Sequence, residues 1–329
     1  MHTKICSKTC IKTCIKTCGN VLGSPQGSSL FVPGARGSVG PAGPVGPQGP
    51  IGLSSPSCTS ILYTDTVTGS KGDIVEAVYD NNILSVKKIN NPKVGIWDWV
   101  ALIVGGNGNS VVATDCLDNS YVLGTYDTTC LFYDANGSTS FTLVSPTVTN
   151  GYVGKLDKSG KWLWITTIRT IDYPIIGVDL KTDCSGNINI SIDTMSSQIV
   201  FINPNGSSNL TLNITSNSIP KLSSVIAKIS SGGKWLWASY VHRLDNYAYA
   251  SYINTDCDGN LIVTGVYNGA VDFYSHANTI QLSIVSSQVD DIFAAKLDMN
   301  GNWIWTTTIS GQDNGSSART VIDCDGNYY

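Results

Sequence analysis

Charge is scarce in this chain. Only 13% of its 329 residues are Asp, Glu, Lys or Arg, about half the share of an ordinary globular protein. Ser, Thr, Asn and Gly fill the gap. A surface of neutral hydrogen-bonding groups suits β-structure with many polar turns, not long solvent-facing helices. Basic excess is missing as well. A net charge of −4 offers no basic stripe to release counterions, so no nucleic-acid partner is expected. Histidine is limited to His2, His242 and His276, none in a recurring context, and there is no nucleophile elbow, P-loop or zinc-binding pair. No cofactor and no metal are expected, and an enzyme is disfavoured. Long apolar runs are absent too. "WVALIVGG" at 99–106 follows Asp98 and is too short to span a bilayer. The lysines near the N-terminus are not followed by an apolar h-region, so no ordinary secretory signal is seen.

What is there falls into regions. Residues 1–33 form a Cys/Lys-rich tail, read as disordered. In "CSKTCIKTCIKTCG" the thiols of Cys6, Cys10, Cys14 and Cys18 recur every four residues. A bare basic tail, interchain crosslinking and S-acylation stay open. Zinc is disfavoured because no second C-x₂₋₄-C knuckle follows across a spacer. Residues 34–52 carry glycine at 34, 37, 40, 43, 46, 49 and 52 without a break, with Pro41, Pro44, Pro47 and Pro50 between. This is the collagen pattern, in which only Gly fits at the axis of three polyproline-II chains. The segment is either a short homotrimeric triple helix, roughly 55 Å long at about 3 Å per residue, or a stiff monomeric spacer. Residues 53–82 read as a linker with a leading strand, and 83–329 as a repeat array.

Two markers set the repeat. "KLDKSGKWLWITTI" begins at Lys155, "KISSGGKWLWASYV" at Lys228 and "KLDMNGNWIWTTTI" at Lys296, with a looser copy, "KINNPKVGIWDWVALI", at Lys88. Their leading tryptophans are Trp97, Trp162, Trp235 and Trp303. A second motif, "TDCLDN", "TDCSGN", "TDCDGN" and "IDCDGN", places Cys116, Cys184, Cys257 and Cys324. Both series step by 65 to 73 residues, and each Cys follows its Trp by 19 to 22. Within one unit, "SVIAKI" (224–229), "WLWASYV" (235–241), "ASYINTD" (250–256) and "NLIVTGVY" (260–267) read as strong strands around the turns "SSGGK" and "CDG". "VDFY" (271–274) and "TIQLSIV" (279–285) read as weaker ones. Meanders of about four strands at fixed period predict an all-β fold of β-propeller type.

The order D-x-F-x-A-K-L-D-x-x-G-x-W-x-W-x-T, then D-C-D-G-N-x-x-V-T-G, resembles the bacterial SBBP-type β-propeller repeat over Ile83–Tyr329. The pairing of a collagen-like segment with such repeats in an Asn-rich chain resembles proteins of giant amoebal viruses. The first resemblance implies a propeller and repeat-mediated display, not one activity. The unit departs from that family in length: about 70 residues implies extra loops or strands in each blade. The chain also stops at "DCDGNYY", inside what should be a strand. That suggests a truncated product, an unusual closure of few blades, or completion by another chain.

The D-C motif reads as a hairpin turn. As a calcium loop it fails, because Gly259 falls at position 4, Tyr267 stands at position 12, and the place of Asp258 is taken by Ser185 and Leu117 in other copies. Equivalent cysteines of neighbouring blades should lie beyond disulfide reach, so Cys116, Cys184, Cys257 and Cys324 are expected as free thiols packed between sheets, hinting at a reducing compartment. The pairs Trp162/Trp164, Trp235/Trp237 and Trp303/Trp305, spaced i, i+2, are expected to share a sheet face and pack between blades. Ten residues after each leading Trp stand Asn107, Asp172, Asp245 and Asp313. On convergent loops they would form an acidic ring for a cation or glycan, with Arg169, His242 and Arg243 beside it; otherwise they cap their loops. The expected function is a non-enzymatic interaction protein that displays a propeller head on a collagen-like spacer to a protein or glycan, on a virion or extracellular surface. The rival is a propeller glycosidase or lyase working through those loop carboxylates.

Overall fold

The computed structural model describes residues 67–68, 74–80, 83–91, 96–310 and 320, leaving out 116, 146–148, 215–221, 245–246, 257 and 287–289. The tail with Cys6, Cys10, Cys14 and Cys18, the glycine-rich segment 34–52 and the side chain of Trp97 lie outside the described residues.

The described elements are twenty strands and no helix. They begin with β1 (Val67–Thr68), β2 (Ile74–Asp80), β3 (Ile83–Asn91), β4 (Ile96–Thr114), β5 (Ser120–Tyr133), β6 (Thr139–Val144), β7 (Asn150–Leu156) and β8 (Trp162–Thr170). Next come β9 (Ile175–Thr182), β10 (Ile188–Thr194), β11 (Gln198–Ile202), β12 (Ser208–Asn213), β13 (Ser223–Ile229) and β14 (Trp235–Arg243). The last are β15 (Tyr247–Thr255), β16 (Leu261–Asn268), β17 (Ala270–Tyr274), β18 (Ile280–Val285), β19 (Asp291–Leu297) and β20 (Trp303–Ile309). All pairings are antiparallel, in the orders β1-β2-β3-β4-β5-β7-β8-β11-β12 with β6 on β5, β9-β10-β13-β14-β17-β18, and β15-β16-β19-β20. These sheets are propeller blades.

The third blade shows the plan of one repeat. Strands β9, β10, β13 and β14 form the meander. Between its second and third strands the chain leaves to make the hairpin β11–β12. That hairpin pairs with β8, the last strand of the preceding blade. In the next repeat β17–β18 pairs in the same way with β14. The donated hairpin accounts for the length of the unit.

The first two blades follow the same plan with two continuous strands. The first half of β4 pairs with β3 and its second half with the first half of β5. The second half of β5, with β6, returns to the first half of β4 as the donated hairpin. The bend in β4 falls at Gly105 (φ +88°), where a Cβ would lie 2.1 Å from the Thr129 carbonyl oxygen, so only glycine fits.

The apolar cores lie between blades. One joins Ala101 and Ile103 of the first blade to Val122, Tyr152 and Ile165 of the second. The next joins Leu123, Val153 and Ile168 to Leu180, Ile190 and Val225. The third joins Ile226 and Val241 to Val263, Phe293 and Leu297. At the centre of each stands a phenylalanine of a donated hairpin. Phe132, Phe201 and Phe273 are fully buried and sit opposite Ile103, Ile168 and Val241. Each meets the leading tryptophan of its own repeat edge to face, with ring centroids 5.2, 4.7 and 4.9 Å apart.

The W-x-W pairs differ from expectation. A β-bulge sets Trp162 and Trp164 against the adjacent residues Leu156 and Lys155, and the other two pairs repeat this. The extra residue, Leu163, Leu236 or Ile304, is exposed. A bulge turns i and i+2 to opposite faces, so the pair does not share a face. Trp162 enters the core before its blade, and Trp164 the core after it. The leading tryptophans Trp162, Trp235 and Trp303 donate their indole N–H to Tyr133, Ile202 and Tyr274 at the ends of the first strands of the donated hairpins. The second tryptophans reach forward: Trp99 Nε1 donates to Lys158 O (2.9 Å), Trp164 Nε1 to Ser231 O (3.2 Å) and Trp237 Nε1 to Met299 O (2.9 Å), each in a turn of the next blade.

That turn holds a glycine under the indole. A Cβ on Gly233 (φ +86°) would meet Trp164 at 2.8 Å, whereas one on Gly206 (φ +81°) meets nothing within 4 Å. Gly206→Ala should cost only the left-handed backbone penalty, about 1–2 kcal/mol. Gly233→Ala should cost a further ~1–3 kcal/mol through overpacking. Urea unfolding of the two variants beside the parent checks this, and equal midpoints would remove the indole contact from the account.

Candidate functional site

Nine hairpin turns among the described residues share one build. The first residue's N–H donates to the fifth residue's carbonyl, and the fourth N–H donates back to the first carbonyl. The fourth place is left-handed: Gly137, Gly160, Gly186, Gly206, Gly233, Gly259 and Gly301, with Asp118 and Asn278 taking it elsewhere. The D-C motifs that begin at Asp115, Asp183 and Asp256 are turns of this set. In the clearest, Asp256 Oδ1 accepts from the N–H groups of Asp258 (3.0 Å) and Asn260 (2.8 Å), and Oδ2 from Asn260 Nδ2 (2.9 Å). Asp183 does the same with Ser185 and Asn187.

These carboxylates have a second partner. Lys228 Nζ lies 2.9 Å from Asp183 Oδ2, and Lys296 Nζ 3.1 Å from Asp256 Oδ2. Both lysines come from the third strand of the meander. The Lys228–Asp183 pair is almost fully buried, and Lys228 Nζ also reaches the Gly259 carbonyl of the next blade at 3.5 Å. An ammonium therefore stands at the oxygen a metal ion would use. In the second blade Asp115 Oδ2 instead accepts from Tyr121 OH (2.8 Å), and Lys155 lies over the Tyr121 ring at 5.1 Å. Burial holds the Lys155 ammonium below the usual lysine range, against the Asp115 charge. Burial raises the Asp256 carboxyl, but the hydrogen bonds from Asn260 and Lys296 outweigh it and hold the group below its ordinary value. The signal for these pairs was in the sequence: one lysine recurs at the same place in an otherwise apolar strand.

The proposed ring is not assembled among the described residues. Asn107 is a strand residue, paired with Thr125 inside β4–β5, and not a loop residue. Asp172 caps its turn: it accepts from Ser196 Oγ, from Ser197 N–H (3.3 Å) and from Ser197 Oγ (3.0 Å). Asp245 and Asp313 lie outside the described residues. Arg169, His242 and Arg243 belong to strands β8 and β14, not to loops. The bonds of Asp172 tie the β8–β9 connection to the β10–β11 connection. The exposed apolar side chains Ile171, Ile176 and Met195 stand on and beside these two connections.

Three further polar groups sit inside the sheets. Ser223, His242 and Asp272 follow one another across β13, β14 and β17, with Ser223 Oγ 2.9 Å from His242 Nδ1 and Ser283 Oγ donating to Asp272 Oδ1 at 2.6 Å. The order resembles a nucleophile, base and acid. Ser223 is only 1% exposed, however, so no substrate carbon reaches its hydroxyl. Asp291, at the place of Ser223 in the fourth blade, is 1% exposed and neither oxygen has a hydrogen-bond partner. Asp193 accepts from Ser224 Oγ, which itself accepts from Ala250 N–H of the next blade at 2.7 Å. Burial pushes the Asp193 carboxyl up to about 7 despite the Ser224 bond.

The cysteines correct the sequence reading. Cys184 is exposed and disulfide-bonded, not a free thiol between sheets. The second place of a hairpin turn lies at the sheet's end, off both packed faces. Cys116, Cys257 and Cys324 lie outside the described residues. The buried free thiol is Cys130 of a donated hairpin, and burial raises it to about 12. The inference of a reducing compartment from thiols in every turn falls with Cys184. Among the described residues no three His, Cys, Asp or Glu side chains gather to hold a metal ion. No described helix is long and apolar enough to cross a membrane. Trp99, Trp162, Trp164, Trp235, Trp237 and Trp303 are all buried, so none of them offers a stacking platform for a sugar.

Blades, donated hairpins and turn pairs define a β-propeller repeat protein. No family model matches the chain. It is similar to an uncharacterized WD repeat-containing protein of Acanthamoeba polyphaga mimivirus, with 26% identity over 319 residues, taking in 79% of this chain and 23% of the relative. The chain thus spans about a quarter of the length of the curated relative it matches.

Two outcomes test the polar framework. Lys228→Met leaves Asp183 buried without its counter-charge and should cost about 3–5 kcal/mol. Adding Asp183→Asn, which keeps the turn's acceptor oxygen, should restore most of that in denaturant titrations. The raised Asp193 carboxyl keeps its proton in the folded state after the unfolded chain has released it, between about pH 3.9 and pH 7. Stability should therefore fall as pH rises through that window, and Asp193→Asn should flatten the slope. The lowered carboxyls of Asp157, Asp172, Asp256 and Asp298 act oppositely. Their contribution is present above the unfolded value and is lost as pH falls through their folded values.

Proposed function

We propose that this chain is a non-enzymatic interaction scaffold whose propeller head binds a protein or glycan through its connections, carried on the collagen-like spacer of residues 34–52. The observation that carries the reading is the division of labour among side chains. The described members of the repeated Asp, Lys and Trp positions engage turns or neighbouring blades, while Ile171, Ile176 and Met195 expose apolar surface where two connections are tied together by Asp172. Exposed apolar groups gathered around connections suit partner binding. The motif order supports an SBBP-type repeat, and the pairing of a collagen-like segment with such repeats in an Asn-rich chain supports a place on a virus particle. Crosslinking by Cys6, Cys10, Cys14 and Cys18 would fasten a homotrimer at its base. The domain plan is then tail 1–33, spacer 34–52, linker 53–82 and head 83–329. With Asn107 held inside a strand, Asp172, Asp245 and Asp313 remain the positions at which a ligand's polar groups would be read.

Light scattering after gel filtration tests the spacer. The full chain should be a trimer, and a shortened chain beginning at Leu53 a monomer, each measured with and without reductant. A monomer in both cases would reduce residues 34–52 to a linker. Incubation with a panel of glycosides should show no turnover. Turnover that disappears in Asp172→Ala would instead move the protein to the glycosidase or lyase class.

A further inference from the structure

Among the described residues, the last strand of every blade but the fourth is covered by another strand. β4, β8 and β14 each carry a donated hairpin on the outer edge. The phenylalanine of that hairpin lies opposite Ile103, Ile168 or Val241, six residues after the leading tryptophan. All three are 0% exposed. In β20 the corresponding residue is Ile309, which is 67% exposed. No described strand pairs with the outer edge of β20. The residues before it repeat the contrast: Thr307 and Thr308 are exposed, whereas Thr166, Thr167, Ser239 and Tyr240 are buried.

The inserted hairpins among the described residues are all engaged. The second half of β5 with β6, β11–β12 and β17–β18 lie on the first, second and third blades. The first blade gives no hairpin, because only residues 81 and 82 separate β2 from β3. The array thus has a direction. Among the described residues it runs from a blade that donates nothing to a strand whose acceptor edge no described strand covers.

We infer that the outer edge of β20 is a docking site for a β-hairpin of the inserted type from a further repeat unit of this build. The occupant is defined by continuity with three engaged edges. It is a five-residue strand with phenylalanine fourth, as in "QIVFI" and "AVDFY", then a five-residue turn with a left-handed fourth residue and a second strand. Main-chain hydrogen bonds along the edge supply affinity, and the phenylalanine on Ile309 supplies register. Asp291 lies one strand inward with both carboxylate oxygens unpartnered. An arriving strand with a donor near Ser310 would face it in the same row. This site is separate from the surface of the Proposed function and stands without it.

A synthetic peptide of residues 198–213, which is the β11–β12 hairpin, serves as the probe. Titrated into the 329-residue protein and followed by fluorescence anisotropy, it should bind one to one. Ile309→Lys, at an exposed position that leaves the fold intact, should weaken binding at least tenfold. A peptide with Phe201→Ser should lose as much. Absent binding, or binding unchanged by Ile309→Lys, would overturn the inference. A dimer of the free protein abolished by Ile309→Lys would also overturn it, because the edge would then belong to a second copy.

Discussion

No single repeat buries its own apolar surface. The contact on which the structure depends is the donated phenylalanine, clamped between the last strand of one blade and the leading tryptophan of the next repeat. Phe201 shows it most closely, with its ring 4.7 Å from Trp235 while its strand is paired to β8. Full burial of such a side chain is worth about 1.5–3 kcal/mol, and each seam has one. Since the seams hold the cores, a blade without its neighbour would face water with Ile, Val and Trp on both sides. The two tryptophans of each W-x-W reinforce the seam in both directions, and the bulge at Leu163, Leu236 or Ile304 makes that division geometrically accessible.

Polar chemistry follows the same economy. Asp115, Asp183 and Asp256 of the D-C motifs each close their own turn with three hydrogen bonds, and in two blades a lysine of the third strand neutralises the carboxylate. The third strands could have been wholly apolar, and a buried pair of this kind contributes little net stability over a hydrophobic replacement. Its effect lies in register. A one-residue slip of β13 would turn Lys228 to the other face and leave Asp183 without its counter-charge. The same carboxylates are thus engaged inside their own turns and by the lysines beside them.

Much of this was legible in the residues. The in-phase Trp and Cys series gave the period, and the β-branched runs gave strands that match β13 to β18 within a few residues. The turns followed from Gly at the fourth place. Three things were not legible, each for a physical reason. Strand pairing is non-local, so "VDFY" looks the same whether it stays in its own blade or joins the one before. A bulge leaves no compositional mark, and i, i+2 spacing therefore suggested one face for Trp162 and Trp164. The Lys–Asp pairs join positions forty or more residues apart, as Asp183 and Lys228 are, and only the recurrence of both residues hinted at them. For the ring, equal spacing from Trp did not mean equal environment. β4 runs unbroken through Asn107, while at Asp172 the chain has already left β8.

Donation backwards along the chain fixes an order in time. The last strand of the second blade, β8, ends at Thr170, but the hairpin that covers it is not complete until Asn213. During synthesis at ~5–20 residues per second, that edge waits a few seconds for its cover, and the third blade waits similarly for β17–β18. A ribosome that pauses within an inserted hairpin therefore leaves a nearly finished blade with a bare edge, on which another nascent chain could pair.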